Sequence, residues 1–178
     1  MAFINTPDAG PDADNIDRAF AARPDIYAAW RGLVTPISEN MDLRTYELAT
    51  LAAARRLRSS YCSLAHGTVL AKKVFDWGTV RDIASGDVAA LNERDVAVMR
   101  FAEQVVADAT SITQADVDRL CEVGLSDVEI FDVAAAAAVR CFFSKLLDAV
   151  GAQPDASYSE LDPAIRDVLV VGRPIASG

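Results

Sequence analysis

The stretch Ser59-Ser60-Tyr61-Cys62-Ser63-Leu64-Ala65-His66 sets a thiol and an imidazole four residues apart. If Ser59 caps a helix, Cys62 falls in the first helical turn. There the unpaired backbone N–H groups and the positive end of the helix dipole favour a thiolate. Four residues on, His66 shares the same helical face and can take the thiol proton or hold the thiolate as an ion pair. It is the only histidine in the chain. Glu47 stands in an apolar neighbourhood (Tyr46, Leu48, Ala49) in the preceding segment. A glutamate buried there needs a polar partner, and orienting the imidazole would supply one. Ser59 reads first as a helix cap. Tyr61 reads as packing, with a hydroxyl that could line the site.

These residues need a pair of helices joined by a tight turn. Asp42 is an N-cap for a helix over 43–58, whose last turn carries Arg55, Arg56 and Arg58. A second helix follows over 60–75, with Gly78 as its stop. The turn at 58–60 makes the two helices neighbours and brings Glu47 within reach of Cys62 and His66. Upstream, 15–22 and 25–33 read as short helices split by Pro24, with Trp30, Leu33 and Ile37 facing a core. Downstream, 79–91 reads as a connection turning at Gly86-Asp87. Asn92 caps a helix to about Asp108, and Thr113 caps one over 114–122. Ser126 and Glu129 form a capping-box pattern for a long helix ending at Val150, closed by Gly151. The fold class is therefore all-α: short N-terminal helices, a central antiparallel pair carrying the motif, and a long C-terminal helix. Residues 1–14 form an extended lead-in, 15–153 the helical domain, and 154–178 a tail or arm. Within the tail, 155–161 is turn-like and 167–171 is a helix end or an extended arm whose apolar run needs cover.

Composition narrows the functions. The 178 residues are 52% hydrophobic and only 7% aromatic, dominated by Ala, Val and Leu, which suits close helix packing. A net charge of −9 repels phosphate backbones, and no basic cluster points to an anionic membrane. No segment is apolar for long enough to span a bilayer, and the start has no signal-peptide character, so a cytoplasmic location is expected. Three cysteines, Cys62, Cys121 and Cys141, are too few and odd in number for a disulfide framework. Cys121 and Cys141 read as structural residues in apolar helical settings. One Cys and one His are too few for structural zinc, and no phosphate-binding glycine loop is present, so no metal and no cofactor are expected.

The pattern Glu47, Ser59-x-x-Cys62, His66 resembles the Glu-x(11)-Cys-x-x-Cys-x-x-x-His signature of the alkylhydroperoxidase AhpD-like group in the carboxymuconolactone decarboxylase superfamily. Tyr61-Cys62 with Ala65-His66 resembles its common Y-C-x-x-A-H core. Residues 90–95 and 120–132, the latter including GLSDVEIFD, resemble the second half of its peroxidase-related branch. The resemblance covers about residues 15–150. It implies Cys62, His66 and Glu47 as catalytic residues and a homo-oligomer, a trimer or hexamer, with sites near subunit contacts. It departs in two places: Ser59 replaces the first cysteine, and Tyr61 replaces the histidine between the two cysteines. No local disulfide can then form, so a Cys62 sulfenic acid needs another thiol, either Cys121, Cys141 or a small external reductant.

The function expected is a thiol-dependent hydroperoxide reductase, with a small peroxide as substrate and a thiol as reductant. Two alternatives stand beside it. One is a cofactor-free lyase or hydrolase acting on a small organic acid, with His66 and Glu47 doing the acid–base work. The other is a degenerate, non-catalytic oligomeric member of the family.

Overall fold

The computed structural model describes residues 3–10 and 12–177. Among these the chain forms α1 (Asn15–Phe20), α2 (Pro24–Asn40), α3 (Leu43–Arg56), α4 (Ser60–Lys73), α5 (Trp77–Ser85), α6 (Glu93–Asp108), α7 (Gln114–Glu122), α8 (Asp127–Val150) and α9 (Pro163–Leu169), with short 3₁₀ turns at Ala109–Ser111 and Ala156–Glu160. No strand occurs among the described residues, and none of their helices is long and apolar enough to cross a membrane.

The helix starts follow from side-chain chemistry. Asp42 accepts the Thr45 N–H at the head of α3, and Asn92, Thr113 and Ser126 each begin a reciprocal capping box with an acidic residue three positions on. Left-handed glycines close α5 and α8: Gly86 at φ 95° and Gly151 at φ 83°.

The centre of the molecule is α3, buried at every position from Thr45 to Ala54. A helix buried on all sides must be surrounded, and α4, α6 and α8 pack around it. Leu48, Leu51, Leu64, Val98 and Val133 fill the contacts. A second, aromatic cluster lies where α1 and α2 cross α8. There Phe20, Tyr27, Trp30 and Phe143 stack, with the Trp30 and Phe143 centroids 4.1 Å apart, and Cys62 packs into this cluster.

The structure revises three sequence expectations here. Gly78 does not end a helix and 79–91 is not simply a connection. Asp76 accepts from Thr79 N (2.9 Å) and starts α5, with Gly78 inside it. The helix is short, and it is held by burial of Val80 and Ile83, about 1.5–3 kcal/mol each, rather than by a long repeating pattern. Next, α2 does not stop at Leu33 but continues through Pro36 to Asn40. The i−4 carbonyl deprived of a donor belongs to exposed Gly32, where water can serve it. Lastly, Leu33 does not face a core: it is 57% exposed. With Trp30, Ile37, Ala135, Val139 and Phe142 it lines an open groove of about 600 Å³ between α2 and α8.

The segment after Pro154 folds back over the body. Tyr61 donates its hydroxyl hydrogen to Asp155, and Ala176 N donates to Pro154 O. The helix α9 covers its apolar run against α4 and α5, with Leu169 fully buried. Leu169 lies over Gly67, where any Cβ would come within 2.9 Å of its methyls.

Candidate functional site

Three helices build the site. Tyr46 and Glu47 come from α3, Cys62 and His66 from α4, and Arg140 and Ser144 from α8. Between α3 and α4 the chain reverses in three residues. Arg58 takes a left-handed conformation (φ 58°), Arg58 N donates to Arg55 O and Ser59 N to Ala54 O. Ser59 is the N-cap residue, so Cys62 is the third residue of α4. The Ser59 hydroxyl itself makes no capping hydrogen bond.

Glu47 and His66 meet. The two side chains are 7% and 13% exposed, and His66 Nδ1 lies 2.6 Å from Glu47 Oε2. An ionised carboxylate only accepts, so Nδ1 carries the proton and Nε2 keeps its lone pair. Burial holds the imidazole below its ordinary 6.5, and the Arg140 charge adds to this, against the pull of Glu47. The imidazole is thus neutral at pH 7 and able to accept a proton.

Cys62 is 2% exposed. Its sulfur accepts from Ser144 Oγ at 3.2 Å and from Arg140 Nη1 at 3.7 Å. Among the described residues no hydrogen bond joins it to His66; the link runs through Arg140 and Tyr46. Arg140 Nη2 donates to Tyr46 Oη at 3.4 Å, and the Tyr46 ring stands edge-on to the imidazole, centroids 6.1 Å apart. Burial raises the Tyr46 phenol above its ordinary 10, so it stays protonated.

Of the sequence candidates, Glu47 and His66 pair directly and Cys62 lies in the same network. Tyr61 points its hydroxyl at Asp155 instead. Cys121 is exposed rather than packed in an apolar setting, because α7 buries only Leu120, and Cys141 is intermediate. Sequence reasoning missed Arg140, Ser144 and Tyr46. An arginine at the end of an alanine-rich run, with Ser144 one turn on, was the only available signal for the first two. Among the described residues no three His, Cys, Asp or Glu side chains gather as a metal-binding group.

No protein-family model matches the chain, and no curated protein matches it. Solved structures do match. A peroxidase-related protein from Ralstonia eutropha JMP134, described as an alkylhydroperoxidase AhpD core, superposes with a TM-score of 0.79 at 20% identity, covering 89% of this chain and 94% of that one. A peroxidase-related protein from Silicibacter sp. TM1040 gives 0.65 at 19% identity over 80% of this chain and 77% of that one. The debrominase Bmp8, in its apo form, gives 0.72 at 18% over 87% and 82%. A likeness at such identities is one of architecture, and this chain is built on the AhpD-like all-α fold.

Proposed function

We propose that this chain is a thiol-dependent hydroperoxide reductase in which Cys62 is the nucleophile and the Glu47–His66 pair handles the proton. The observation that carries the reading is the convergence of two polar side chains, Ser144 and Arg140, on an enclosed sulfur. A cysteine that merely fills space has no use for such donors. The sulfur attacks one peroxide oxygen, and an S–O bond forms as the O–O bond breaks. The electron pair leaves on the other oxygen, which takes the proton given up by the thiol. The products are a Cys62 sulfenic acid and an alcohol, or water. His66 relays that proton through a water or through the substrate's own oxygen, with Glu47 fixing the tautomer. Ser59 cannot resolve the sulfenic acid. A small external thiol condenses with it, releasing water, and a second thiol then frees Cys62 and departs as a disulfide.

The test is stopped-flow consumption of cumene hydroperoxide and hydrogen peroxide under excess dithiothreitol. Wild type should turn over, Cys62→Ser should fall to background, and His66→Gln should slow by roughly 10²–10⁴-fold. Equal background rates for wild type and Cys62→Ser remove the reading. Because the debrominase, which has also been solved with 2,3,4-tribromopyrrole bound, is similar in fold, that bromopyrrole belongs in the same substrate panel.

The lack of a Cys62–His66 hydrogen bond favours a second reading, in which the Glu47–His66 pair works alone on a small lactone or enol acid. That reading replaces the first if Cys62→Ser keeps full turnover of such a substrate while His66→Ala loses it. The homo-oligomer is part of the proposal in either case. It is supported by the exposed Leu33 and Phe142 in the α2–α8 groove and by exposed Phe131 nearby on α8. Sedimentation showing only monomer would remove it.

A further inference from the structure

A guanidinium cannot shed its proton to escape burial. Arg140 is 3% exposed, and among the described residues it forms no ion pair with any carboxylate. Among the described residues its Nε–H has no hydrogen-bond partner. The faces of Phe143 and Trp30 lie 5.5 and 5.8 Å from its Cζ, and aromatic faces offset only part of the cost of burying a full charge. A buried cation of this kind calls for an anion.

Groups from four helices stand around it. From α3, Tyr46 is a phenol kept protonated by burial, and the Glu47 carboxylate is hydrogen-bonded to the neutral His66 and, among the described residues, makes no direct ion pair with Arg140. From α4, His66 is neutral or cationic, never anionic. Among the described residues α2 contributes the indole of Trp30, and α8 itself the ring of Phe143 and the hydroxyl of Ser144. That leaves the sulfur of Cys62, 3.7 Å from Nη1. Thiols as a class are stronger acids than phenols, which makes sulfur the natural atom to carry a negative charge beside a guanidinium. Ser144 Oγ aims a second donor at the same atom, and a thiolate accepts such hydrogen bonds far better than a thiol does.

We propose that Arg140 is the resident counter-ion of Cys62, so that the resting site holds a buried guanidinium–thiolate pair with Ser144 as second donor. This rests on Cys62 being the reacting sulfur of the reading above. It assigns the activation of that sulfur to α8 rather than to His66. The neutral imidazole's part is then to accept the peroxide's own proton at Nε2 and pass it to the departing oxygen, so that the thiolate becomes a sulfenate and an alcohol or water leaves.

The experiment reads the ultraviolet absorbance of thiolate at pH 7 on the intact protein, with Cys62→Ser subtracted so that Cys121 and Cys141 cancel. Wild type should show one thiolate's worth of difference. Arg140→Met should lower it about tenfold or more, Arg140→Lys should fall between, and His66→Gln should leave it in place. Absence of the difference in wild type overturns the proposal, and so does its full retention in folded Arg140→Met. The wild-type comparison needs no arginine variant, so loss of fold in Arg140→Met does not shelter the idea. The two readings fail separately. A wild-type thiolate without peroxide turnover removes the reductase and keeps the pair, whereas turnover from a neutral sulfur keeps the reductase and removes the pair.

Discussion

Gly172 holds the C-terminal segment against the turn that starts the cysteine helix. Its N–H donates to Ser60 Oγ at 2.8 Å, at the first residue of α4. A Cβ built at this position would stand 1.9 Å from the Arg58 carbonyl oxygen, more than 1 Å inside the 3.0 Å below which real Cβ contacts essentially never occur. The obstacle is backbone in a tight reversal, so no rotamer change relieves it. Gly172 has no positive φ, which makes the effect of Gly172→Ala purely steric. Either the tail lifts and loses the Ser60 bond, or the turn shifts beneath Cys62. Overpacking costs about 1–3 kcal/mol and the lost hydrogen bond about 1, together about 3 kcal/mol. For a chain of 178 residues that is a fall in Tm of about 6–12 °C. Calorimetry checks this, with Gly32→Ala as the matched control. Gly32 lies in α2 with nothing within 4 Å of an added Cβ, so that change should stabilise by about 0.5–1 kcal/mol. If Gly172→Ala melts within about 2 °C of wild type, the tail does not brace the turn and the steric reasoning fails.

Two further expectations concern titration and access. The His66 imidazole is held below 6.5 in the folded chain, chiefly by burial. Above 6.5 its contribution is therefore fully present, and it is lost as pH falls through the lower folded value, because the unfolded chain binds the proton first. Urea titrations should show stability declining below pH 6.5 by at most about 1.4 kcal/mol per pH unit from this one group. His66→Gln should flatten that slope, and an unchanged slope would refute the assignment. Exposure also orders the thiols: a bulky maleimide on native protein should label Cys121 first, Cys141 more slowly and Cys62 only on unfolding. Mass spectrometry finding Cys62 labelled as fast as Cys121 would show that the site stands open.

Much of the architecture was written locally. Asp42, Asn92, Thr113 and Ser126 announce helix starts because a cap is a contact between a side chain and backbone only a few residues away. Spacing along one helix set Cys62 and His66 on a shared face, and the short reversal at Arg58 made Glu47 a neighbour. α5 was less legible, since it owes its existence to what Val80 and Ile83 bury against.

What the chain order could not reveal is how the thiol is treated. Arg140 lies 78 positions from Cys62 and Ser144 lies 82 positions away, and the alanine-rich run that ends at Arg140 says that it is buried without saying what it faces. Only the packing of α8 across α3 and α4 turns a buried arginine and a serine into donors aimed at one sulfur. The same holds for the tail, whose Gly172 has meaning only where its backbone meets the carbonyl of Arg58. Helix capping and same-face spacing are short-range and survive in the sequence. The pairing of a charge with its partner depends on which surfaces exclude water together, and that is fixed only when the helices close on one another.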